Sequence, residues 1–191
     1  VLRTDLRLRP DPASTPVAIS VNSAFAYYET VGQNWERAAL IKARPVAGDL
    51  ALGEHFLTTL KPFIWRKYFD FAAIADIHAM KRQIHAVRGH ADIAVAGHDV
   101  KLGRGGIREV EFIVQAFQLI RGGRDTELQV TSLYTALNRL PELGLLPTAV
   151  VDELLPDYAF LRDLEHAIQA LEDRQTQQLP TDDDDRERRA P

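Results

Sequence analysis

Three ionisable side chains recur at every second position near the start of the chain, Asp5, Arg7 and Arg9. Period-2 spacing puts them on one face of an extended segment, while Leu2, Leu6 and Leu8 take the other, which is the pattern of a half-buried strand over residues 1–9. A carboxylate next to two guanidinium groups has two readings. In metal-assisted nucleotidyl transfer, carboxylates on neighbouring strands hold two Mg²⁺ ions that clamp the attacking and leaving oxygens. Asp5 has the setting of one such ligand, and Arg7 and Arg9 that of phosphate contacts. The same pattern also describes a solvated strand face, and both readings stay open on these residues alone. No second acidic pair such as Asp-x-Asp follows a Gly-Ser turn in an apolar strand setting, so a two-metal site is incomplete within this chain.

The second chemistry-bearing stretch is Lys101-Leu102-Gly103-Arg104-Gly105-Gly106-Ile107-Arg108, which leads into a long apolar helix. Glycines before a helix let backbone N–H groups approach an anion, and the helix dipole favours negative charge there. Arg104 and Arg108 add cations. The spacing matches neither the dinucleotide fingerprint nor the P-loop, and a tight turn explains the glycines equally well. Within the helix, Ile107, Val110, Val114 and Phe117 trace one face, and Arg108, Glu111, Gln115 and Gln118 align in a polar stripe. Such a stripe either carries an Arg108–Glu111 ion pair that fixes packing or borders a polar cavity. Glu109 stands beside it, with its role open.

The elements around these residues are predominantly helical. After the breakers Pro10, Pro12 and Pro16, Asn22 or Ser23 is a plausible N-cap for a helix to about Gly32. A second short helix spans Gln33 to Arg44, with Arg37, Lys42 and Arg44 falling late in it and Pro45 beyond it. Further helices are expected at 50–60, 62–88, 107–121, 131–140 and 148–174. The tail 181–191, with four consecutive aspartates followed by Arg-Glu-Arg-Arg, lacks apolar periodicity and is expected to be disordered. The fold class that follows is mainly α: a helical bundle preceded by a short N-terminal β segment.

Composition bounds the rest. With 191 residues, 46% hydrophobic and 26% charged, the chain has the make-up of a folded globular protein. Its 23 basic and 27 acidic residues give a formal charge of -4, which provides no bulk attraction to nucleic acid or anionic membrane. No nucleic-acid or membrane partner is expected. The chain has no cysteine, which excludes disulfides and thiolate metal sites and suits a cytoplasmic location. Residue 1 is Val and lies inside a strand-like pattern, so the chain is expected to be a piece of a longer protein.

Six stretches carry a family resemblance: T-D-L-R-L-R-P at 4–10, N-W-E-R-A-A-L-I-K-A-R at 34–44, L-K-P-F-I-W-R-K-Y-F-D at 60–70, K-L-G-R-G-G-I-R-E-V-E-F-I-V-Q at 101–115, F-Q-L-I-R-G-G-R at 117–124 and Q-T-Q-Q-L-P at 175–180. Through them the chain resembles the bacterial bifunctional glutamine synthetase adenylyltransferase and adenylyl-removing enzymes, and the glycine-loop stretch resembles most the N-terminal, adenylyl-removing half. The resemblance implies a reaction in which phosphate attacks an adenylyl group on a tyrosine of glutamine synthetase and releases ADP. It implies Mg²⁺ as cofactor, ATP, ADP and phosphate as substrates or products, and glutamine synthetase as partner, with a PII-type regulator as a second. Asp5 would be a catalytic metal ligand, and Arg7, Arg9, Arg37, Lys42, Arg44 and Arg104 would bind phosphate or nucleotide. Arg108, Glu109, Glu111 and Gln115 would line a cavity or hold the frame. Residues 1–48 would be the end of a nucleotidyltransferase-like α+β domain and 49–180 a helical bundle domain. The alternatives are a helical module that docks glutamine synthetase or PII, and a piece of a related PII uridylyltransferase.

Overall fold

The computed structural model describes residues 9–67, 95–170 and 176–182. The expected strand over 1–9 lies outside them but for Arg9, as do Asp5 and Arg7 and most of the acidic tail. What is described is mainly α, with six α-helices among the described residues: α1 (Val21–Thr30), α2 (Asn34–Leu40), α3 (Leu50–Ile64), α4 (Ile107–Arg121), α5 (Leu133–Glu142) and α6 (Thr148–Ala170). The chain divides into two compact units, one of Val1–Asp76 with Ala116–Ala136 and one of Ile77–Gln115 with Leu137–Pro191.

In the first unit, each early helix begins on a side-chain cap. Ser20 Oγ accepts from Ser23 N at 3.1 Å, so α1 starts before Asn22 and Ser23, the residues expected to cap it. Glu36 Oε2 accepts from Gln33 N at 2.8 Å, closing half of a capping box on α2. Helix α2 stops at Leu40, four residues short of the expected Arg44. Lys42 N and Ala43 N bond three residues back, to Ala39 O and Leu40 O, and Pro45 disfavours helical geometry at the residue before it. Asp49 Oδ1 caps α3 through Leu52 N at 2.9 Å.

Helix α3 runs without a break through residue 61, where two helices, 50–60 and 62–88, were expected. Pro62 sits in its last turn and removes only one intrahelical donor, while an aromatic ladder holds the helix against α1. Phe25 stacks on Phe56 at 5.2 Å, and Tyr28 meets Phe63 at 5.3 Å. The helix ends at Ile64, and residues 68–88 of the expected segment lie outside the described residues.

In the second unit, Val100, Leu164 and Ile168 form a buried cluster against which Leu161 and Leu179 pack. A short antiparallel clasp closes it: Gly97 N donates to Leu179 O at 3.0 Å, Leu179 N to His98 O at 2.8 Å and Val100 N to Gln177 O at 2.9 Å. Helix α4 has the bounds expected for it. Helix α5 starts two residues later than the expected 131, with Ser132 Oγ accepting from Thr135 N, and runs through Pro141 to Glu142. Beyond its end, Gly144 with a φ of 66° lets Leu145 N return to Leu140 O. Helix α6 is described to Ala170. No helix among the described residues is long and apolar enough to cross a membrane.

Candidate functional site

The glycine loop of the second unit turns its amides inward. Asp99 Oδ1 accepts from Lys101 N at 3.0 Å and Leu102 N at 2.8 Å, and Asp99 O accepts from Gly103 N at 2.8 Å. Ile107 N and Arg108 N, which open α4, donate to Val100 O and Lys101 O, both at 3.0 Å. Glu109 Oε2 takes the Gly105 N–H at 3.0 Å, putting a carboxylate of the chain where an anion would be drawn by the helix end. Gly103 is required by close approach, since a Cβ there would meet Asp99 O at 2.4 Å. Gly105 is required by its backbone, at φ 73°. The loop is a tight, internally bonded turn, with Arg104 exposed at its tip.

The polar stripe of α4 carries the ion pair read from its spacing. Arg108 Nη1 lies 2.9 Å from Glu111 Oε2, and Tyr158 OH reaches Glu111 Oε1 at 3.5 Å. Gln115 is half-buried. Gln118, in the first unit, donates both amide hydrogens, to Leu128 O at 2.9 Å and Val130 O at 2.8 Å. A further network in the second unit had no local signal except an i, i+3 spacing. Glu165, 2% exposed, accepts from Lys101 Nζ at 3.0 Å and from Arg162 Nη1 at 2.6 Å. Lys101 lies 64 residues away in the chain, which is why it could not be paired from spacing.

In the first unit, Arg37 is the centre of a different arrangement. Its side chain is 1% exposed, and its fork donates to Ile64 O from Nε at 3.2 Å and from Nη2 at 3.1 Å. Nη2 also reaches Leu119 O at 3.5 Å, and Nη1 donates to Asn34 Oδ1 at 3.2 Å. Ile64 ends α3 and Leu119 lies in the last turn of α4, so both carbonyls are among those a helix leaves without an amide donor. Burial, then the nearby positive charge of Arg66, lowers the Arg37 guanidinium to about 10, which leaves it charged at neutral pH. The glycines of Arg121-Gly122-Gly123-Arg124 fit the same neighbourhood. A Cβ on Gly122 would meet the Trp65 ring at 2.6 Å, and one on Gly123 would meet Arg66 O at 2.0 Å. Three of the stretches singled out in the sequence, 34–44, 60–70 and 117–124, thus meet around one buried arginine.

The remaining candidates of this unit are placed apart from that node. Arg9 is half-buried, with Nη2 donating to Pro12 O at 3.0 Å and Thr15 O at 3.4 Å. Lys42 and Arg44 are exposed on the turn that leaves α2. Among the described residues no group of three or more His, Asp or Glu could hold a metal ion. The described residues therefore make no metal site of their own. Tyr27, half-buried and donating to the buried Glu36 Oε2 at 3.1 Å, and Tyr28, whose hydroxyl burial and then the Glu36 charge push up to about 12, form a polar group that spacing did not reveal.

A helical chain with such loops and this node matches families of nucleotidyl-transferring proteins. The family model described as GlnD PII-uridylyltransferase matches residues 76–190, and that described as glutamate-ammonia ligase adenylyltransferase matches residues 1–59. Among curated proteins, the chain is 62% identical over 180 residues to one from Rhizobium meliloti (strain 1021), covering 94% of this chain and 18% of that protein. It is 61% identical over 188 residues to one from Mesorhizobium japonicum, covering 98% and 19%, and 60% identical over 184 residues to one from Brucella melitensis, covering 96% and 19%. Each of the three is named a bifunctional glutamine synthetase adenylyltransferase/adenylyl-removing enzyme. The chain belongs to this family, and it spans less than a fifth of the length of these relatives.

Proposed function

We propose that this chain is a working part of an enzyme that controls glutamine synthetase by removing AMP from, or adding it to, one of its tyrosines, and that it belongs to the adenylyl-removing half. The observation that carries the reading is identity of about 60% along nearly the whole chain to enzymes named for that pair of activities. In the removing direction, a phosphate oxygen bonds to the adenylyl phosphorus as the bond to the tyrosyl oxygen breaks. The products are ADP and the restored tyrosine, which regains its proton.

In this reading Asp5 supplies one carboxylate of the metal site, and Arg7, Arg9, Lys42, Arg44 and Arg104 contact phosphate or nucleotide, while Arg37, expected with them, is assigned to the frame because its fork is engaged by Ile64 O, Leu119 O and Asn34 Oδ1. Mg²⁺ would be held by Asp5 together with carboxylates beyond this chain. Arg108, Glu109, Glu111 and Gln115 belong to the frame, as the Arg108–Glu111 pair and the Glu109 contact to Gly105 N support. Residues 1–48 are the end of the catalytic domain, and 49–180 are the helical domain through which glutamine synthetase or a PII-type protein docks. The enzyme works in the cytoplasm.

With a single candidate carboxylate, the 191-residue chain alone does not complete a two-metal site. Mixed with adenylylated glutamine synthetase, Mg²⁺ and phosphate, it should release no ADP, whereas the full-length enzyme should do so in proportion to its concentration. Turnover by the purified chain alone would contradict the division of the site. The match of residues 76–190 to the PII-uridylyltransferase model favours a second reading, uridylyl transfer to a PII protein. Incubating the full-length enzyme with PII and labelled UTP tests it, since labelled PII would favour this second reading.

A further inference from the structure

The cations proposed to meet phosphate in the first unit, Lys42 and Arg44, stand on an irregular turn rather than on a helix, so something must fix that turn. The chain ties it to Arg37 by short steps. Ile41, 4% exposed, anchors the turn in the core, and its N–H donates to Arg37 O at 3.2 Å. Lys42 N and Ala43 N then bond to Ala39 O and Leu40 O. Helix α2 is only seven residues long, too short to hold its own geometry by propensity, so its placement depends on tertiary contacts. Arg37 makes the long-range polar ones, across 27 residues to Ile64 O and 82 to Leu119 O.

We propose that Arg37 is a positioning residue, whose guanidinium fork fixes α2 and thereby holds the turn bearing Lys42 and Arg44 where phosphate binds. This inference rests on the phosphate-binding reading given above. A lysine cannot replace the fork, because one ammonium cannot span two carbonyls and the Asn34 amide in a single plane. Displacing the turn by a fraction of an ångström weakens phosphate binding while the site for glutamine synthetase is untouched.

The test uses the full-length enzyme and phosphorolysis of adenylylated glutamine synthetase, with KM measured for inorganic phosphate and for glutamine synthetase separately. Arg37→Lys should raise the phosphate KM on the order of tenfold, with the glutamine synthetase KM unchanged. A loss of folded enzyme would lower kcat alone, so the split between the two KM values separates positioning from general damage. Asn34→Ala, which removes the acceptor of the Nη1 contact, should raise the phosphate KM about threefold, and it serves if Arg37→Lys does not fold. Lys42→Gln and Arg44→Gln should raise the same KM directly. If those two do so while Arg37→Lys and Asn34→Ala keep the wild-type phosphate KM in folded enzyme, the positioning role is overturned and the site reading stands. If Lys42→Gln and Arg44→Gln both leave the phosphate KM unchanged, the phosphate site assigned to this turn falls, and the role of Arg37 falls with it.

Discussion

Each unit keeps a charged side chain almost wholly from water, Arg37 in the first and Glu165 in the second, and the two are held in opposite ways. In the first, the Arg37 cation is held by two main-chain carbonyls and an amide, with no carboxylate bonded to it among the described residues. In the second, the Glu165 carboxylate is held by two cations, Lys101 and Arg162, whose side chains are 32% and 34% exposed. A charge held by helix-end carbonyls depends on where those helices sit, and it has no mobile partner to follow it if they move. A charge held by half-exposed cations tolerates movement, because either cation can turn to water. The first arrangement specifies geometry; the second neutralises.

The largest effect expected from this contrast is at Gly123, where Arg66 O leaves no room for a side chain. Gly123→Ala should cost about 3 kcal/mol or more, read as a fall in the urea midpoint, because main chain rather than a flexible tip must yield. A midpoint within error of wild type would show that the approach of 117–124 to residue 66 is not as described. Next is Arg37→Met, which fills much of the space but leaves the Ile64 and Leu119 carbonyls without this donor. About 3 kcal/mol should be lost, and the loss should be the same at low and at high salt.

The alkaline limb distinguishes the first unit further. Tyr28 is raised from 10.0 to about 12, so the folded state keeps a proton that the unfolded state releases. Its contribution is fully present below pH 10 and is lost as pH rises towards 12, on the order of 2 kcal/mol across that window. Arg37, lowered from 12.5 to about 10, has the opposite sign and adds stability as pH rises above 10. Because the two slopes oppose one another, Tyr28→Phe should turn the pH 10 to 12 curve toward rising stability relative to wild type, and a mutant curve parallel to wild type over that range would contradict the assignment. The smallest effect is expected from Glu165→Gln, about 1.5 kcal/mol at low ionic strength, because Lys101 and Arg162 can both reach solvent. Unlike the Arg37 effect, it should shrink when salt is raised to 1 M.

Local chemistry was legible in the sequence, and long-range partnership was not. The bounds of α4 and the Arg108–Glu111 pair follow from helical spacing, because both depend on residues one turn apart. The break expected between 50–60 and 62–88 is absent, since Pro62 near the helix C-terminus removes one hydrogen bond and the Phe56 and Phe63 contacts to α1 hold the helix through it. Arg37 was singled out as a cation that would meet phosphate or nucleotide. Its partners were not, because Ile64 and Leu119 are main-chain acceptors that leave no mark of residue type. The glycines of 103–106 presented the same ambiguity, which the Asp99 and Glu109 contacts resolve as turn geometry. Asp5, on which the catalytic reading depends most, lies outside the described residues and rests on its motif.

The most direct test of that reading is Asp5→Ala in the full-length enzyme, with both activities measured on the same preparation. Labelled phosphate given with adenylylated glutamine synthetase reports AMP removal as labelled ADP, and labelled ATP given with the unmodified enzyme reports AMP addition. If this chain belongs to the removing half, Asp5→Ala abolishes the labelled ADP and leaves AMP addition near wild type. Retained ADP formation, or loss of AMP addition with removal intact, would contradict the account.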